Sequence, residues 1–180
     1  MIIGAAKVIS VGGVDAMSLR DLADKAGVPF GSTYHHFPGG KAELVDEAVR
    51  YVGAQVSALI AEARTRGTSE VLNVFADRWR RVLEVSDHSA GCAVVAAAVA
   101  TDPRHHAVAR EVFEDWHRAL TAALRDAGVP PKRAGRLART TVAAIEGAVA
   151  LARAAGSTEP LDDVVEELAA LVKSARRDAP

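Results

Sequence analysis

What is scarce in this chain narrows the possibilities first. A single cysteine, Cys92, excludes any disulfide within the chain. No apolar stretch approaches the ~20 residues that a membrane-spanning helix needs. The stretch from Ile2 to Val11 is too short, carries Lys7 and runs into Gly12-Gly13, which makes it a poor secretory signal. Charge of one sign is scarce as well: 22 Lys and Arg stand against 23 Asp and Glu, a net of -1. Residues 1–41 hold Lys7, Arg20, Lys25 and Lys41 against Asp15, Asp21 and Asp24, a margin of only +1. A nucleic-acid partner must therefore be argued from arrangement and gains little from bulk charge. Aromatics make up 4% of the residues, while 49% are hydrophobic and dominated by Ala, Val and Leu, a balance that favours closely packed helices. The composition points to an all-α protein, cytoplasmic and without a membrane partner.

Breakers divide the chain into about nine helices. The first is expected from about Ile2 to Ser10, stopped by Gly12-Gly13, and the second from Leu19 to Lys25, stopped by Gly27. A very short third lies between Pro29 and His36. After Pro38-Gly39-Gly40 a long helix runs from Lys41 to about Arg66 and ends at Gly67. Thr68 or Ser69 caps the next, in which Val71, Leu72, Phe75, Trp79 and Val82 recur at three- and four-residue spacing. Further helices are expected at Cys92 to Ala100, from Pro103 to about Ala127, from Pro130-Pro131 to Ala155, and from Thr158–Pro160 to near Arg176.

The second helix is specified in detail. Ser18 is a good N-cap, and Asp21 can bond back to it, though Glu would reach better. Met17 can staple onto Leu22, and Leu19, Leu22, Ala23 and Ala26 share one face. Gly27 ends the helix and a tight turn follows. Two short helices joined by a Gly-containing turn are the outline of a helix-turn-helix, whose second helix enters the major groove of DNA. The third helix suits that role. Gly31 lets the backbone approach a duplex, and Ser32, Thr33, Tyr34, His35 and His36 make it too polar to be core. Lys41 follows at the start of the long helix, where free N–H groups and the helix dipole also favour a phosphate.

The stretch from Ser18 to Lys41, SLRDLADKAGVPFGSTYHHFPGGK, closely resembles the DNA-binding domain of TetR/AcrR-type regulators. The resemblance implies that Tyr34 and Lys41 anchor phosphates, and that Ser18 and Arg20 begin a support helix touching the backbone. It places Phe30, Gly31, Ser32 and His35 toward the groove, and Leu19, Leu22, Ala23 and Phe37 in a small core. Phe30 stands where the family usually has a polar or basic residue. Contact with a thymine methyl and simple cover of the domain are both open to it. In the family a basic segment usually precedes the first helix, whereas Ile2 already matches inside that helix.

The stretch Ser89 to Ala100, SAGCAVVAAAVA, is similar to the Gly-Cys-apolar signature of the LmrA/YxaF-like branch, as is Pro-Gly-Gly-Lys. The resemblance implies two domains, residues 1–45 for DNA binding and 46–180 for ligand binding and dimerisation. It also implies a homodimer on a palindromic operator, paired through the last two helices. Ala143, Ala144, Gly147, Ala148 and Leu151 offer a small-residue face for this, with Leu161, Val164, Val165, Leu168 and Leu171 as an apolar stripe. Phe75, Trp79, Cys92, Val95, Phe113 and Trp116 are the bulky or soft residues available for a pocket that takes a small apolar or aromatic effector.

Other chemistry finds little support. Glu114 and His117 have the Glu-x-x-His spacing of dimetal sites, but no second copy exists. His88 and Cys92 lack further ligands, and His105 and His106 diverge along a helix. No nucleophile-base pair is evident, so neither enzyme activity, a metal nor a cofactor is expected. The function expected is that of a ligand-released repressor. The competing reading is a helical small-molecule-binding protein or enzyme with a repressor-like fold and no operator.

Overall fold

A computed structural model describes residues 1–65 and 68–177. Among them are nine helices and no strand: α1 (Ile2–Gly12), α2 (Leu19–Lys25), α3 (Phe30–His36), α4 (Gly40–Arg64), α5 (Thr68–Val85), α6 (Ala93–Ala98), α7 (Arg104–Asp126), α8 (Pro131–Ala155) and α9 (Glu159–Arg177). The order and number follow the breakers. The expected end of α4 at Arg66 and Gly67 lies outside the described residues, as do the side chains of Thr68 and Ser69. Helix α6 is shorter than expected. It stops at Ala98, and Val99 stands exposed beyond it.

The chain forms two compact units, residues 1–54 with 92–112, and residues 55–91 with 113–180. In the first, α1 buries Ala5, Ala6 and Ile9 and packs on α6, whose Ala93, Val94 and Ala97 are buried in turn. Gly13, at φ 81, closes α1 by donating its N–H to Ile9 O at 2.9 Å. Leu44, Val45, Ala48 and Val49 are the buried side of the first half of α4.

Helices α4 and α7 meet in this unit at three points. Asp46 Oδ1 is 2.8 Å from His105 Nδ1. Arg50 Nε is 3.6 Å from Glu111. Gly53 faces Val112, where an added Cβ would stand 2.6 and 2.7 Å from the two methyl carbons. Seven residues separate 46 from 53, and seven separate 105 from 112. The two helices therefore run in the same direction over two turns, and only a hydrogen fits at position 53.

In the second unit α8 packs along α9, and both pack on α5. Their shared core holds Phe75, Leu83, Ile145, Val149, Leu161 and Leu168. Each such side chain removed from water contributes about 1.5–3 kcal/mol before the entropy of ordering is set against it. Arg80 on α5 reaches Asp162 on α9 at 2.6 Å and also bonds Asp77 one turn back on α5. Gly156 ends α8 in the left-handed conformation at φ 63, and Pro131 opens it at a position where no N–H is needed.

Helix α7 begins on an Asp102 clamp. The Asp102 carboxylate accepts from Arg104 N at 3.0 Å and from the Arg104 guanidinium. These bonds hold its pKa down to about 2, with the Arg104 side chain the larger cause.

Two measurements test this packing. Gly53→Ala should lower the stability of the full chain by about 1–3 kcal/mol in urea unfolding, because the α4–α7 contact must open. Gly135→Ala on α8, where the nearest atom to a new Cβ is 4.0 Å away, should be neutral or stabilising. By carboxyl-carbon NMR, Asp102 should titrate near 2, and Arg104→Ala should raise its midpoint toward the ordinary carboxylate range. The contribution of this clamp to stability is present above that ordinary range and is lost as pH falls through about 2.

Candidate nucleic-acid interface

The reading head is built from its caps. Ser18, in extended conformation, accepts the Asp21 N–H at 3.3 Å. Among the described residues no bond returns from the Asp21 carboxylate to the Ser18 N–H, in keeping with a side chain one methylene shorter than Glu. Met17 and Leu22 are both buried, as the staple requires. At the other end Gly27 takes φ 63, and Val28 N–H closes on Ala23 O at 3.0 Å. That turn delivers the chain to Pro29 and so to α3. Leu19, Leu22 and Ala23 form the small core, and Phe37 is half-buried beside the end of α3.

The polar residues of α3 divide between two faces. Tyr34 is 52% exposed, His35 and His36 are exposed, and Ser32 is half-exposed. A Cβ added to Gly31 would meet nothing within 4 Å, so the backbone is open to close approach. Thr33 departs from its expected place on the reading face. It is fully buried, and its hydroxyl donates to Phe30 O at 2.6 Å, because it lies on the inner side of a helix barely two turns long.

Phe30 is half-buried in a group that the sequence did not disclose. The Arg20 guanidinium carbon lies 5.2 Å from its ring centroid, and the Tyr34 ring meets it edge-on at 5.5 Å. A cation over a ring face is attracted by the ring quadrupole, so Phe30 fixes where the Arg20 charge is displayed. Tyr34 in turn lies against the start of α4: a Cβ on Gly40 would be 3.5 Å from its Cε1. Gly40 is buried at φ 66. Lys41 follows at once, half-buried, with Nζ 3.4 Å from Asp15 O. The Glu43 carboxylate accepts the Gly39 N–H at 2.7 Å, a cap for α4 that the Pro-Gly-Gly-Lys motif had hidden. Arg20, Tyr34 and Lys41 thus stand around one short helix.

The residues expected to hold an effector are divided. Phe75, Phe113 and Trp116 come together in the second unit, with Trp116 edge-on to Phe75 at 6.0 Å and to Phe113 at 5.6 Å. Trp79, one turn beyond Phe75, is 4% exposed, and its Nε1–H finds no acceptor among the described residues. Thr141 Oγ1 on α8 is likewise buried without a partner among the described residues. Cys92 and Val95 belong to the first unit, Cys92 buried and Val95 half-exposed. The glycine before Cys92 has its own reason, since a Cβ there would be 2.7 Å from the Arg153 guanidinium.

The expected dimer face divides as well. Ala143, Gly147, Leu151 and Leu171 are exposed, while Ala144 and Val164 are half-exposed. Ala148, Leu161, Val165 and Leu168 instead fill the protomer's own core between α5, α8 and α9, so they are not available to a partner. His117 is tied to Gly135 O at 3.0 Å, and His105 to Asp46, which gives both histidines structural partners. Among the described residues no three His, Cys, Asp or Glu side chains converge on a metal position.

Comparison with known proteins decides the family. Residues 2–48 match the bacterial regulatory proteins of the tetR family, and residues 68–167 match the C-terminal domain of LmrA/YxaF-like transcriptional regulators. The chain belongs to the TetR family. An HTH-type transcriptional regulator of Mycobacterium tuberculosis is 37% identical over 176 residues, covering 93% of this chain and 90% of the relative. The HTH-type transcriptional regulator LmrA of Bacillus subtilis is 24% identical, over 87% and 86% of the two chains. A TetR transcriptional regulator of Legionella pneumophila shares the fold, with a TM-score of 0.82 at 20% identity over 93% and 92% of the chains. This TetR-family chain is therefore a helix-turn-helix regulator of transcription in the LmrA/YxaF-like branch and not an enzyme. No described helix is long and apolar enough to cross a membrane.

Proposed function

We propose that this regulator is a cytoplasmic homodimeric repressor, released from a palindromic operator by a small apolar or aromatic effector. The observation that carries the DNA half of this reading is the grouping of Arg20, Tyr34 and Lys41 around an α3 whose backbone is open at Gly31. Arg20, Tyr34, Lys41 and the Ser18 end of α2 hold phosphates and set the register. Gly31, Ser32, His35 and His36 meet the base edges. Phe30 serves mainly as the platform beneath Arg20, and Thr33 supports α3 from inside. Residues 1–45 read DNA, and residues 46–180 sense the effector and pair.

The exposed small-residue row Ala143, Gly147 and Leu151 on α8, with Val164 and Leu171 on α9, supports pairing of these helices with their copies. Gly147 has nothing within 4 Å of a new Cβ, which leaves room for a close helix. Two heads in a dimer must sit about 34–36 Å apart, or a multiple of that, to enter successive major grooves. The Phe75–Phe113–Trp116 cluster supports an aromatic or apolar effector. Trp79 Nε1–H, one turn beyond Phe75 and without an acceptor among the described residues, supports an effector that carries a hydrogen-bond acceptor, since a buried donor left unmade costs about 1–3 kcal/mol. Such an effector releases DNA only by binding the off-register state more tightly than the reading state.

The decisive measurement is binding of the full chain to the DNA beside its own gene, across a salt series. Specific binding that weakens steeply with salt is expected. Tyr34→Ala and Lys41→Ala should each lower affinity and flatten the salt slope by about one phosphate contact. Binding without sequence preference, or none, would favour a helical binding protein that has no operator. Gly147→Arg should yield monomers in sedimentation and lose most operator affinity. A variant that stays dimeric would remove α8 from the interface.

A further inference from the structure

We infer that the groove between the later part of α4 and α5 is a second ligand site, for an organic anion with an apolar body. The groove measures about 590 Å³, within the range of roughly 300–1,000 Å³ that small-molecule sites occupy. Ala58 and Leu59 on α4 and Val74 on α5 supply an apolar floor. Val74, Arg78 and Arg81 follow one another at steps of four and three, so the two guanidinium groups stand on the same side of α5 as that floor.

The charge balance gives the ligand its sign. Asp77, which also lines the groove, is taken up by Arg80, and Arg80 bonds Asp162 as well. Glu62 makes a polar interaction of its own. Arg78 and Arg81 form no ion pair with any described residue, although acids stand close by in sequence on both helices. Two guanidinium groups one turn apart, without an ion pair among the described residues, present forked donors that match a carboxylate. The apolar floor then takes the chain or ring behind that carboxylate.

This groove is separate from the aromatic cluster. Phe75 and Trp79 lie on the buried face of α5, whereas Val74 and Arg78 are half-exposed and Arg81 is exposed. An anion seated here would bind against the later turns of α4.

Calorimetric titration of the full-length protein with decanoate, set against uncharged 1-decanol, tests the proposal. Saturable binding of one decanoate per chain is expected, at least tenfold tighter than decanol. Arg78→Gln with Arg81→Gln should weaken decanoate at least tenfold and leave decanol unchanged. Both side chains reach solvent, so the variant's melting curve should match the parent's. Leu59→Asp should weaken decanoate similarly, through the floor, and Trp116→Phe should leave it unaffected. Absence of saturable decanoate binding, equal binding of decanol, or loss of binding in Trp116→Phe but not in the arginine variant would each overturn the inference.

Discussion

The side-by-side run of α4 and α7 is the constraint on which the first unit depends. Three different contacts hold it: a part-buried His–carboxylate bond, an exposed ion pair, and a glycine against a valine. The exposed pair is worth little, since its members are screened by water. Close packing at Gly53 matters more, because a core contact of this tightness cannot absorb even one added carbon cheaply. His105 is 3% exposed and its partner Asp46 is on α4, so this polar bond also selects one register between the two helices. α4 and α7 each contribute to both compact units.

Much of this was legible in the sequence, for identifiable reasons. Helix ends were readable where a residue has one dominant backbone role: Gly27 and Gly156 in left-handed conformation, Pro131 at a first turn, Ser18 as a cap. The reading helix was legible because five consecutive polar residues make no sense as core. Periodicity failed where a face had to be assigned. Leu161, Val165 and Leu168 form the same stripe whether they meet a partner or their own α5 and α8, and here they meet their own. Thr33 was misplaced for a related reason, since a seven-residue helix is too short for a polar pattern to mark an inner side. The Arg20–Phe30–Tyr34 group joins two helices across a turn, and no spacing rule along one helix could have announced it.

That group also answers the difficulty posed by charge. The first 41 residues carry a net of only one positive charge, too little for a broad electrostatic attraction to DNA. On the proposed reading, the few cations act by placement. Arg20 is held over a ring, and Lys41 sits at the opening of a 25-residue helix whose dipole adds to its charge. Position compensates for number.

The inward turn of Thr33 has a consequence for how such a protein diverges. Its burial and its bond to Phe30 O tie the integrity of α3 to the helix's inner side. Ser32, His35 and His36 are left on the outer side with few obligations to the core. On the proposed reading, substitutions among these three would change what a duplex meets without disturbing what holds the helix. After gene duplication, a descendant could drift to a new target through such neutral exchanges while its architecture stays under separate selection.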